Sequence, residues 1–216
     1  MNEPNASQIQ FYRSVLLQPY SLVQGFSERG GGVSSAPLDS LNVGSNVGDS
    51  PENVLENHER LCHALGISRS NVVSVHQVHG NHVVRVDKDE AGTIVTDADA
   101  MITADIGVFM LMRFADCVPI LFYDPRKHVA GIAHAGWRGT AIGVAKCTVE
   151  ALQQEFDCKP ADLVAVIGPS IGPCCYEVGS EVVEAMKANP AIPEHVIVQQ
   201  PNDKVHVDLW QANAAQ

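Results

Sequence analysis

Residues 107–139 read GVFMLMRFADCVPILFYDPRKHVAGIAHAGWRG and hold three short apolar runs, at 107–114, 119–123 and 129–134. Runs of this length, rich in Val, Ile, Leu and Phe and bounded by Gly, Pro and Asp, predict buried strands rather than helices. An Asp-Pro-Arg-Lys turn joins the second run to the third. Proline presets its own φ there, and the aspartate can bond the backbone two residues on. Two strands so joined cannot bury both faces alone, so this stretch commits the chain to a sheet covered by further elements.

The covering elements are legible around it. Ser50–Gly66, SPENVLENHERLCHALG, reads as a helix. Ser50 caps it, Pro51 suits its first position, Gly66 ends it, and Val54, Leu55, Leu61 and Leu65 supply its apolar face. NVVSVHQVHGNHVVRVD (71–87) alternates as two strand pieces around His79-Gly80. After the Gly-Trp-Arg-Gly turn, Ile142, Ala145, Val149 and Leu152 recur at helical spacing. DLVAVIGPSIGPCCYEVG is a strand running into a Gly/Pro loop, SEVVEAMKAN a helix, HVIVQQ and KVHVDL two strands, and WQANAAQ the start of a helix. Residues 1–20 form a lead-in segment with one short strand. The Gly-, Ser- and Asn-dense stretch 26–54 is either a flexible linker or an ordered, backbone-rich loop. Strands and helices mix without a regular βαβ repeat. The expectation is one α+β domain over 1–216, with layered mixed β-sheets flanked by helices.

Charge narrows the partners. A net charge of −11 over 216 residues lacks the basic stripe that nucleic acid requires, but leaves room for a small anion in a locally positive pocket. No apolar run reaches membrane-spanning length, so no membrane partner is expected. The polar N-terminus does not read as a signal peptide. Six irregularly spaced cysteines are then expected as reduced thiols in the cytoplasm.

Three segments place a ligand or nucleophile where an apolar run meets small residues: HQVHG with His79, ADCVP with Cys117, and IAHAGWRG with His134. Two imidazoles and a thiolate suit zinc with an open fourth position. The spacings, 38 and 17 residues, are those of an assembled site rather than a zinc finger. Each residue also has a plain structural reading, as a hydrogen-bonded strand histidine or a buried thiol. Asp116 can accept from a ligating imidazole or act as a base; it can equally be a surface turn residue. Arg138 and Arg29 are candidate anion clamps, Arg29 beside three glycines, or else solvated arginines. The Cys174-Cys175 pair lines a pocket, binds a soft metal, or sits in a rigid loop with buried thiols.

RGGGVS, LNVG, QVHG, DAMIT, ADCVPILFYD, AHAGWRGT and IGPSIGPCCYEVG together resemble the polyphenol oxidase (laccase domain) family, also called the purine nucleoside phosphorylase or peptidoglycan editing factor family. The resemblance runs in order from about residue 20 to 210. It implies a mixed α/β domain and a zinc held by His79, Cys117 and His134. It implies phosphorolysis of adenosine, inosine, guanosine and methylthioadenosine, with adenosine deamination as a second reaction. Cys117, His79, His134, Asp116 and Arg29 are its catalytic candidates. Arg29, Asn42, Gln77 and Arg138 are its substrate-binding ones. Zinc is preferred over copper because the nine histidines include no His-x-His pair. The partners expected are purine nucleosides and phosphate, in a monomer or homodimer. Family members continue several tens of residues past DLWQANAAQ, so this chain is expected to lack that segment. Two alternatives stay open: a metal-free Cys-His thiol hydrolase, with Cys117 as nucleophile and His134 as base, and a non-catalytic zinc or partner-binding module.

Overall fold

The structure is a computed structural model that describes residues 8–201 and 204–216. The first seven residues of the expected lead-in segment lie outside the described residues. By its internal contacts the chain divides into two compact units, one up to Val72 and one from Val73 to Gln216.

The first unit pairs two short antiparallel strands, β1 (Phe11–Tyr12) and β2 (Phe26–Ser27), and carries helix α1 (Pro51–Leu65). The helix begins and ends where the residues dictate. Ser50 Oγ accepts from the Asn53 N–H at 3.1 Å, and Gly66 takes the left-handed φ of 70° that closes the last turn. Its inner face differs from the apolar one expected: Leu55 is exposed, and Asn57 is wholly buried. The loop 29–50 explains why, and it is ordered. Asn57 donates to Ser34 Oγ, Ser40 O and Asn42 O and accepts the Val33 N–H, so its buried amide stitches the loop to the helix. Gly32 passes so close that a Cβ there would lie 2.1 Å from the Ser40 carbonyl.

The second unit is built on a five-stranded mixed sheet. Its order is β10 (Val164–Ile167), β8 (Val118–Asp124), β9 (Val129–Ala135), β6 (Ala100–Thr103) and β4 (Val83–Arg85). All pairings are antiparallel except β4 with β6. A smaller sheet has the order β5 (Ile94–Asp97), β3 (Val72–His76), β7 (Phe109–Met110). Another has the order β11 (Glu177–Val178), β13 (Val205–Val207), β12 (Ile197–Gln199). The remaining helices are α2 (Trp137–Ala141), α3 (Val144–Phe156), α4 (Ser180–Ala188) and α5 (Leu209–Ala214). This is the expected α+β class, with mixed sheets in layers flanked by helices.

The layering is visible along β6, whose four residues are all buried. Ala100 and Ile102 join the core formed with Val144, Ala145 and Leu152 of α3, while Met101 joins Val73 and Val75 of β3 in a second core. A strand buried on both faces loses the apolar-polar alternation and reads as a continuous apolar run, as the sequence around it does. Burying each large aliphatic side chain here contributes roughly 1.5–3 kcal/mol. Helix α3 starts later than its apolar spacing suggests. Gly143 takes φ 84° and separates it from α2, which leaves Ile142 exposed.

Candidate functional site

The register of the five-stranded sheet assembles the site. Val118 faces Ala135 across β8 and β9, so Cys117, one residue before β8, comes level with Gly136. Ala100 faces Ala133 across β6 and β9, so Asp99, one residue before β6, comes level with His134. Val83 faces Ala100 across β4 and β6, which brings the 77–82 connection to the same end of the sheet. His79, Cys117 and His134 therefore converge, and their ligand atoms all lie within 4.8 Å of one another. The two imidazole rings meet edge to face with centroids 4.8 Å apart, and Phe114 covers His134 from 5.4 Å.

One carboxylate organises this group. Asp99 is wholly buried. It accepts the His134 Nδ1–H at 2.8 Å and the backbone N–H groups of Val78, His79 and Gly80 at 3.1, 3.0 and 2.6 Å. The three successive N–H groups wrap the carboxylate, which holds His79 at its unusual φ of 62°. With Nδ1–H committed to Asp99, His134 turns Nε2 toward Cys117. Asp99 was not among the expected site residues. Its sequence signal, an acid directly before the buried run AMIT, is weak until the strand register is known. The expected carboxylate partner of a ligating imidazole, Asp116, is exposed, and its backbone carbonyl accepts the Ile171 N–H at 3.0 Å. That hydrogen bond belongs to Asp99 instead.

Protonation follows the packing. Burial pushes the His134 imidazole down, but hydrogen bonds to Asp99 and Cys117, with their charges, outweigh it and lift it to about 9. Burial likewise pushes Asp99 up, and the bonds from His134, Gly80 and Val78 outweigh it and hold the carboxyl below its ordinary range. His79 is pushed down, by burial first and then by the His134 charge.

The other candidates have settled partners. Gln77 donates to the Arg113 carbonyl at 2.8 Å and accepts the Arg113 N–H at 2.9 Å, clasping the end of β3 to the strand beside it. The Gly-Trp-Arg-Gly stretch is not a free turn but the opening of α2, with Gly136 at its cap. This leaves Arg138 exposed, its guanidinium 4.2 Å from the Trp137 ring centroid. In the first unit Arg29 pairs with Asp39 at 3.2 Å, and Asn42 donates to Gly44 O and Asp49.

Residues 23–216 match the family model described as "Multi-copper polyphenol oxidoreductase laccase". The chain belongs to this family. Among its relatives, the "Purine nucleoside phosphorylase YlmD" of Geobacillus stearothermophilus is 40% identical over 178 residues, 79% of this chain and 64% of that protein. The chain thus spans less than two thirds of that relative's length. The Bacillus subtilis protein of the same name is 32% identical over 220 residues, 99% of this chain and 79% of that one. The crystal structure of YlmD from Geobacillus stearothermophilus superposes with a TM-score of 0.84 at 37% identity, covering 89% of this chain and 74% of that one.

The expectation of zinc over copper is overturned. The matched laccase family is described as multi-copper, and two imidazoles with one thiolate form a donor set typical of copper sites. Chemically the His-Cys-His cluster fits the Cys-His alternative better than a zinc phosphorylase centre. Among the described residues no helix is long and apolar enough to cross a membrane.

Proposed function

We propose that the chain is an enzyme of purine nucleoside cleavage, and that its reaction centre is the series Cys117–His134–Asp99 with His79 beside it. The observation that carries the centre is the convergence of the His79, Cys117 and His134 side chains, with ligand atoms within 4.8 Å of one another, on a buried His134 ring bonded to the Asp99 carboxylate. The substrate class rests on relatives named as purine nucleoside phosphorylases. The reaction is phosphorolysis: a phosphate oxygen forms a bond to the anomeric carbon, the bond to the purine nitrogen breaks, and the base leaves with a proton. Adenosine deamination is part of the same proposal.

Each residue has a task in this reading. Asp99 fixes the tautomer and orientation of His134. With no metal bound, His134 is charged at neutral pH and holds a proton at Nε2 that a leaving group can take. Arg138, exposed beside the cluster on the Trp137 ring, offers a guanidinium to a phosphate. His79, Cys117 and His134 would hold a copper ion, which supplies a Lewis-acid centre when bound.

A second reading is favoured by the nearness of Cys117 to His134, whose ligand atoms lie within 4.8 Å. In it Cys117 is the nucleophile, His134 the base that takes its thiol proton, and Asp99 the orienting group of a metal-free hydrolase.

The test is to purify the protein without a metal-chelating tag and measure its copper content. Adenosine, inosine, guanosine and methylthioadenosine are then followed by chromatography with and without phosphate. Wild type is compared with Cys117→Ala, Arg138→Ala and Arg29→Ala. Base release that needs both phosphate and Cys117 supports phosphorolysis. Release without phosphate, blocked by iodoacetamide and resistant to chelators, supports the thiol hydrolase. No product from any nucleoside sinks the enzyme reading and leaves a binding module.

A further inference from the structure

Cys174 and Cys175 are not ligands of the cluster described above. The sequence suggested buried thiols, but the structure puts both at the surface, free, with their sulfurs 3.1 Å apart. The backbone around them is clamped. The N–H groups of Cys175 and Tyr176 both donate to the Gly172 carbonyl, at 3.0 and 3.1 Å, and the Glu177 N–H donates to Cys175 O at 3.2 Å. From outside the loop, the His206 ring donates to Pro173 O at 2.6 Å, and Trp210 Nε1 donates to Ser170 Oγ at 2.6 Å.

That clamp decides what the pair is suited to. A disulfide between adjacent residues needs the intervening peptide reoriented, against these hydrogen bonds. A ligand that takes both sulfurs and leaves them apart needs no such change. Two thiolates, each about 2.3 Å from a shared soft centre and near a right angle to one another, lie about 3.3 Å apart. A right-angled arrangement suits a pyramidal centre, not the linear geometry of a cuprous ion between two sulfurs.

We propose that Cys174 and Cys175 form a chelating dithiol site for trivalent arsenic compounds. With an arsenoxide, the two S–H bonds and the arsenic–oxygen double bond break. Two sulfur–arsenic bonds form, and the oxygen leaves as water with both thiol protons. No oxidant or reductant is needed. The site carries its own reporter: a Cβ on Gly172 would lie 3.0 Å from the Trp210 ring and 3.6 Å from the Cys174 sulfur, so indole and thiol flank one glycine.

The test uses the full native chain and phenylarsine oxide, read by intact mass and tryptophan fluorescence, with chases of a monothiol and of a dithiol. The expected result is one phenylarsenic group per chain that survives the monothiol, leaves with the dithiol, and changes a fluorescence signal that Trp210→Phe abolishes. Cys174→Ser and Cys175→Ser each weaken retention about 100-fold, since a single thiol forfeits the chelate advantage. Cys117→Ala retains the adduct. An adduct undiminished in either serine variant, lost in Cys117→Ala, or removed from wild type by the monothiol overturns the proposal.

Discussion

Asp99 and His134 meet twice. The ring Nδ1–H of His134 donates to the Asp99 carboxylate at 2.8 Å, and its backbone N–H donates to the Asp99 carbonyl at 2.7 Å. The second bond lines up β9 with the residue before β6, and the first aims the ring. A strand pairing thus delivers the His134 ring to the cluster already oriented, and the same carboxylate oxygen accepts the His79 N–H.

Replacing that carboxylate should uncouple the two histidines. Asp99→Asn keeps the volume but sets an amide N–H₂ against backbone donors that now meet an acceptor. Breaking a buried pair of this kind costs roughly 3–5 kcal/mol. Loss of the group behind a ligating imidazole lowers metal affinity roughly 10- to 100-fold. Thermal melting and a copper titration check both expectations. A variant that melts and binds copper as wild type does would mean that Asp99 positions nothing.

The three residues of the cluster, His79, Cys117 and His134, were legible in the sequence because each sits where an apolar run meets glycine, proline or alanine, and such positions fall at or near strand ends. Helix α1 was legible for a similar local reason, as Ser50, Pro51 and Gly66 mark its limits by their own conformational preferences. Asp99 was not, because its role depends on the register of β6 against β9, a non-local pairing that no spacing encodes. The inward turn of Asn57 was hidden too, since an amide is drawn inside only by the loop carbonyls that it satisfies. Trp137–Ala141 read as a turn because two glycines in four residues suppress helix propensity, and burial of Gly139 and Thr140 overrides it.

Acid should weaken the first unit through Asp49. Hydrogen bonds from the side chains of Asn42, Ser34 and Asn53 lower its pKa from 3.8 to about 2. A carboxyl with a depressed folded pKa contributes stability that is present above about pH 4 and is lost as pH falls through about 2. Asn42→Ala removes the leading cause, so its folded pKa rises toward the unfolded one and the pH-dependent part of the stability shrinks. Melting temperatures between pH 5 and pH 2 test this. If Asn42 serves substrate alone, the two pH profiles will run parallel.

The core beneath the sheet should respond to a single cavity. Leu152 of α3 is fully buried among the strands of the five-stranded sheet. Leu152→Ala should cost about 2–5 kcal/mol, read from urea midpoints at an unchanged slope. A cost under about 1 kcal/mol would mean that the layer collapses to fill the gap.

Gly136 separates the site from the scaffold most sharply. A Cβ at this position would lie 2.9 Å from the His79 ring and 3.0 Å from the Cys117 sulfur. Its φ of −66° is open to any residue, so alanine strains no backbone there. The added methyl group must instead push His79 and Cys117 apart, and His79, being exposed, can yield without disturbing the core. Gly136→Ala is therefore expected to fold with little loss of stability, while copper affinity and any turnover that needs Cys117 fall at least tenfold, as displacement of ligating groups demands. Gly139→Ala is the contrasting variant, because its Cβ would meet the Gly80 backbone carbonyl at 2.8 Å and the cost should appear in the melting temperature. Measuring stability and copper binding on both variants separates the two effects. Equal losses of stability in the two would show that Gly136 is needed by the fold and not by the spacing of His79 and Cys117.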